Sequence, residues 1–88
     1  MIKIEIQFEE ELKKIYIENL LYVTAKSLLI QGFCVGHRVA RERITIPVEL
    51  INIFGEEKMA NEASRLFRDG LILAQQYPYE DLEKILMD

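Results

Sequence analysis

Cysteine and histidine are nearly missing from this chain of 88 residues, with one of each. Cys34 has no second cysteine with which to form an intramolecular disulfide. Cys34 and His37 together fall short of the three or four ligands that a zinc site needs, and a nucleophile needs a base and an orienting group that are not here. No Gly-rich phosphate loop is present. These absences exclude the commonest metal and phosphate-transfer chemistries. An enzyme is not expected, nor a catalytic residue, a metal or a cofactor.

Long hydrophobic runs are also lacking. No apolar stretch approaches the ~20 residues that cross a bilayer. The first residues, MIKIEIQFEEE, have neither a charged n-region nor a following apolar h-region, so no signal peptide is read there and a cytoplasmic protein is expected, away from membranes. Positive charge is in short supply, 11 Lys and Arg against 15 Asp and Glu, for a net charge of −4. That balance argues against coating nucleic acid through bulk charge, though it leaves room for a local basic patch.

What the chain does have is apolar residues, 50% of the total, and 30% charged ones, the composition of a folded domain. At this length one domain is expected, residues 1–88. So much apolar material on so small a body also suggests oligomerisation.

Along the chain, Ile2, Ile4, Ile6 and Phe8 alternate with Lys3, Glu5 and Gln7, the period of a half-buried strand. Glu9, Glu10 and Glu11 favour a helix start. A helical pattern follows to Gln31 with Leu12, Ile15, Tyr16, Leu20, Val23, Leu28 and Leu29, uninterrupted by Gly or Pro. Read as one piece it would be roughly 34 Å long, which implies a partner chain or a break near Glu18–Asn19. Gly32 is expected to cap it.

Residues 33–46 read as extended. Arg41, Arg43 and Thr45 share one face, and Ala40, Glu42, Ile44 and Ile46 the other. Pro47 suits the start of a short helix that stops at Gly55. A longer helix follows from Glu56, with Met59, Ala60, Ala63, Leu66 and Phe67 on its apolar face. Pro78 precedes a last short helix from Tyr79 to Met87.

The chain also resembles itself. Shifted by 38 residues, seven pairs are identical: Glu11/Glu49, Leu12/Leu50, Ile15/Ile53, Glu18/Glu56, Ala25/Ala63, Leu28/Leu66 and Gly32/Gly70. Any two amphipathic β–α segments share some pattern, so a duplication and a coincidence of period both remain open. The expected fold is α+β: two β–α units, 1–36 and 37–76, whose strands meet in a small antiparallel ribbon or sheet covered by helices, with a C-terminal helix over 77–88.

Arg41-Glu-Arg43-Ile-Thr45-Ile-Pro47-Val-Glu-Leu50, then Gly55, then Ala63 to Leu71, resembles a ribbon-helix-helix unit. The segment from Ile46 to Leu73, ending in Leu66-Phe67-Arg68-Asp69-Gly70-Leu71, is similar to small prokaryotic antitoxin-like proteins. The resemblance implies a homodimer whose paired strands enter the major groove of duplex DNA. Arg41, Arg43 and Thr45 would then read bases, assisted by Arg38 and Lys3, and the acidic remainder would suit a basic protein partner such as a toxin. The function implied is a small transcriptional regulator or antitoxin. The other reading open at this point is a protein–protein interaction or oligomerisation module with no nucleic-acid role. There the apolar helix 9–31 is the interface and the arginines only keep an edge strand soluble.

Overall fold

In the computed structural model the backbone is described for residues 2–87 and the side chains for residues 10–84. Four α-helices carry the fold: α1 (Ile2–Gly36), α2 (Val48–Phe54), α3 (Glu56–Gln76) and α4 (Leu82–Met87), the last preceded by a 3-10 turn at Tyr79–Asp81. No strand occurs among the described residues. The expected α+β fold, with its β-ribbon, is therefore incorrect, and with it the ribbon-helix-helix resemblance. The residues expected to form the first strand, Ile2 to Phe8, are the first two turns of α1. Alternation alone does not hold a strand. It needs a neighbour to accept its backbone hydrogen bonds, and here the helix-forming run of Glu and Lys that follows contains no Gly or Pro to stop the helix from propagating backward.

The 35 residues of α1 make a rod of about 52 Å. It spans nearly the whole 54 Å length of the molecule. The radius of gyration is 16.1 Å, against about 12 Å for a compact chain of this size. The excess comes from α1, because the packed body covers only its C-terminal half. There is no break at Glu18–Asn19.

Gly32 does not cap α1. It sits inside the helix, at the point where α1 crosses α3. A Cβ built on Gly32 would overlap the Phe67 carbonyl oxygen and lie 3.1 Å from the Gly70 Cα. One built on Gly70 would overlap the Leu29 carbonyl oxygen and lie 2.9 Å from the Gly32 Cα. The helices thus touch backbone to backbone, an approach that only hydrogen at Cα permits. Four residues on, Gly36 faces Ala74. Since 32 lies on 70 and 36 on 74, α1 and α3 run parallel. The contacts are also reciprocal under the 38-residue shift: Gly32 meets Phe67, and Gly70 meets Leu29. At the crossing the internal repeat is a local two-fold relation between the helices.

Parallel neighbours require a return path, and residues 37–47 supply it. This arm runs back along α1, tied by the Val39 N–H donating to the Cys34 carbonyl (2.8 Å) and, less closely, by the Ile44 N–H donating to Gln31 Oε1 (3.4 Å). Pro47 precedes α2, and its carbonyl accepts the Leu50 N–H at 3.1 Å. Gly55, at φ 92°, separates α2 from α3 without a longer loop. Phe33, Cys34 and Leu50 are fully buried, joined by Leu28, Ile30, Met59 and the hydroxyl-bearing Thr24. Each large apolar side chain in that set contributes roughly 1.5–3 kcal/mol.

Ala at Gly32 or Gly70 should lower stability by about 1–3 kcal/mol in urea denaturation. The helix-propensity gain of about 1 kcal/mol acts in the opposite direction and is smaller than the cost of moving two backbones apart. An unchanged or raised midpoint in both variants would show that the helices do not cross there.

Candidate functional site

Two surfaces remain once the core is accounted for: the returning arm and the N-terminal half of α1.

On the arm, Arg41, Arg43 and Thr45 are exposed, while Ile44 and Ile46 are half-buried towards the body. The expected alternation holds over residues 43–46. It fails at Ala40 and Glu42, both exposed, because the arm has left the helix surface there. Arg38 is exposed and has φ 60°, at the turn where α1 ends and the arm begins. No acidic side chain pairs with Arg38, Arg41 or Arg43 among the described residues. Arg65 on α3 is the contrast: it donates to Glu62 at 2.7 Å and to Asp69 at 3.4 Å. The hydrogen bond and charge of Arg65 hold the Glu62 carboxyl below the ordinary range. Any stability from that pair is present above the unfolded carboxyl pKa and is lost on acidification, and at full exposure it is small. Lys3, the remaining residue expected at a nucleic-acid contact, has its side chain outside the described residues; among those described, Arg38, Arg41 and Arg43 of the arm form the basic surface. A shallow cleft of about 560 Å³ between arm and α1 is lined by Thr24, Ser27, Arg41, Arg43 and Thr45 among others.

The second surface has a clear helical geometry. Leu12, Ile15, Tyr16, Asn19, Tyr22 and Val23 fall within about 120° of the α1 circumference. All six are exposed, the five apolar ones by 49% to 58%. Over the same stretch Glu10, Lys13, Lys14 and Glu18 lie outside that sector together with Ile17, Leu20 and Leu21, and Glu11 stands at its edge, beside Tyr22. Farther along, α1 turns Ala25, Leu29, Gly32 and Gly36 towards α3, and Leu20, Thr24, Ser27 and Gln31 towards the arm. Leu12, Ile15 and Tyr16 of the stripe project clear of both, whereas at its C-terminal end Tyr22 borders an apolar groove with Leu66 and Leu73 of α3 and Val23 borders the cleft beneath the arm. In the C-terminal half of α1 the same sector carries Ile30, Phe33 and Cys34, which are buried along with Thr24 and Leu28 on other sides, so that half is apolar nearly all round. Lys26 closes the stripe at its C-terminal end, its ammonium 3.3 Å from the Tyr22 hydroxyl oxygen and 5.4 Å from the ring centre.

Cys34 and His37, three apart in sequence, form no reactive pair. Cys34 is buried. The His37 ring packs edge-on to Phe33 at 4.7 Å, and its Nε2 is 2.8 Å from the Tyr77 carbonyl. Tyr79 joins the same aromatic group, stacked 6.2 Å from Phe33. These contacts pin the C-terminal segment onto the end of α1. Among the described residues no cluster of three His, Cys, Asp or Glu could hold a metal ion, and no helix is long and apolar enough to cross a membrane.

No protein-family model matches the chain, and no curated protein or solved structure is significantly similar to it. The antitoxin-like resemblance of residues 46–73 thus has no family match behind it, and the site has to be argued from its own geometry. The sequence marks helix 9–31 as apolar without separating the half that packs from the half that projects; the density of charge over Glu10 to Lys14 is the signal that residues 10–18 stay in water.

In amide hydrogen exchange the Val39 amide should be protected and those of Arg41 to Arg43 should exchange close to the unprotected rate. Uniform protection over residues 40–46 would mean that the arm has found a pairing strand.

Proposed function

We propose that the chain is a self-associating helical interaction module in which the stripe of Leu12, Ile15, Tyr16, Tyr22 and Val23 packs against the same stripe of a second copy. The observation that carries this reading is the exposure of the stripe, 49% to 58% for its five large apolar side chains, on a stretch of α1 that the described body leaves largely uncovered. Five half-exposed large apolar side chains present about 500 Å² per chain, roughly 1,000 Å² for a pair, near the lower limit of a specific interface. Their 3–4 residue spacing is the one that lets two helices interlock.

A second reading rests on a separate observation. Arg38, Arg41 and Arg43 are exposed and without an acidic partner among the described residues. Arg41 and Arg43 stand about 6.6 Å apart along an extended arm, twice the axial phosphate spacing of one DNA strand. This favours contact with the phosphate backbone of duplex DNA. It does not support base reading by a paired ribbon, since the arm has no partner strand.

Sedimentation equilibrium should give a dimer in the micromolar range, and Ile15→Glu with Val23→Glu should give a monomer of unchanged helicity. A wild-type monomer at all concentrations would rule out self-association. For the second reading, affinity for mixed duplex DNA should fall as salt rises, and Arg41→Ala with Arg43→Ala should reduce the salt slope by about 2. Absence of binding at low salt would end it.

A further inference from the structure

Building on that self-association, we infer that the two copies of α1 pair antiparallel, with the two-fold axis beside Asn19. Three observations fix the orientation. The first is charge. The stripe begins beside Glu11 and ends on Lys26. A parallel pair sets Glu11 against Glu11 and Lys26 against Lys26. An antiparallel pair sets the Glu11 of each copy beside the Lys26 of the other, twice, by symmetry. The second is register. The midpoint of Glu11 and Lys26 falls between Glu18 and Asn19. Asn19 is the one polar member of the stripe's interior, and its amide both donates and accepts, so two copies meeting at the axis satisfy each other. A lone Asn in an apolar helix seam is a known means of fixing register and orientation. The third is the location of the bodies. Among the described residues the packing of α3, the arm and α4 lies on the C-terminal half of α1, and residues 24–88 carry ten Asp and Glu against eight Lys and Arg, a net charge of −2. Antiparallel pairing sends the two acidic bodies to opposite ends of a seam of about 24 Å, over residues 11–26. Parallel pairing would hold them side by side.

Single-cysteine cross-linking reads the orientation directly, with wild-type protein as control because its Cys34 is 1% exposed. Leu12→Cys and Lys26→Cys proteins, one carrying a mass tag, are mixed and oxidised. The expected result is a disulfide between the two different variants and none in Leu12→Cys alone. A disulfide in Leu12→Cys alone overturns the inference in favour of parallel pairing. Failure of both to link, in protein that still sediments as a dimer, also overturns it while leaving self-association intact. Separately, Lys26→Glu should weaken the dimer about tenfold and Glu11→Lys in the same chain should restore it. Loss without restoration by the charge swap counts against the antiparallel register.

Discussion

The backbone contact between Gly32 and Gly70 is the constraint on which the other features depend. Two helices at ordinary separation keep side chains between them and can slide or rotate with modest loss. Here there is nothing between them to adjust, and the register of α1 on α3 is set to the residue. Register fixes direction, and the direction is parallel. Consecutive parallel helices force the chain to travel back before the second can begin. Level with Gly32 stands Gly70, so level with Glu56, the first residue of α3, stands Glu18. The distance from Gly36 back to Glu18 is about 27 Å along the helix. That return is shared between the arm, residues 37–47, and α2, whose seven residues rise about 10 Å. The arm, which can reach about 36 Å when extended, supplies the greater part of it.

That geometry gives the arginine-rich arm a structural cause. An extended chain lying on a helix has one side against the body and one in water, and alternation follows: Ile44 and Ile46 inward, Arg43 and Thr45 outward. The same alternation would arise in a DNA-reading ribbon, so the pattern by itself does not select between a solubilised strap and a nucleic-acid contact. The stripe on α1 is different in kind. Solubility explains exposed arginines, but it does not explain Leu12, Ile15, Tyr16, Tyr22 and Val23 gathered in one sector of the helix and each about half exposed. An exposed apolar face of that extent is normally an interaction surface, which is why self-association ranks above DNA contact here.

Much of the local organisation was legible in the sequence: the helix over 9–31, the short helix between Pro47 and Gly55, the long helix after Glu56, the extended arm and the apolar character of α1. The fold class was not. A period of two in Ile2–Phe8 and in Val39–Ile46 marks residues that suit a strand, but a sheet is a relation between segments, and here the first segment is helical and the second is an unpaired arm among the described residues. Gly32 and Gly70 were read by their local meaning, as helix ends, when their meaning was tertiary. Nothing in a single sequence distinguishes a glycine that stops a helix from one that admits a neighbour. The 38-residue match that placed one on the other was the one clue available, and it is at this pair that it corresponds to contact.

The same match also shows where the two halves part, and that divergence creates the exposed surface. In the second half Pro47 and Gly55 divide the chain into arm, short helix and long helix. Their counterparts at the 38-residue shift are Glu9 and Ile17, which interrupt nothing. The first half therefore continues as one helix where the second folds back. Leu50 and Ile53 correspond to Leu12 and Ile15. Leu50 is brought round by the bend and buried completely, whereas Leu12 stays on a straight rod at 49% exposure. An apolar pattern suited to packing thus stands on a segment that the described body does not cover. Burial against a second copy would remove that surface from water, because the copy brings an identical face with the same unmet need.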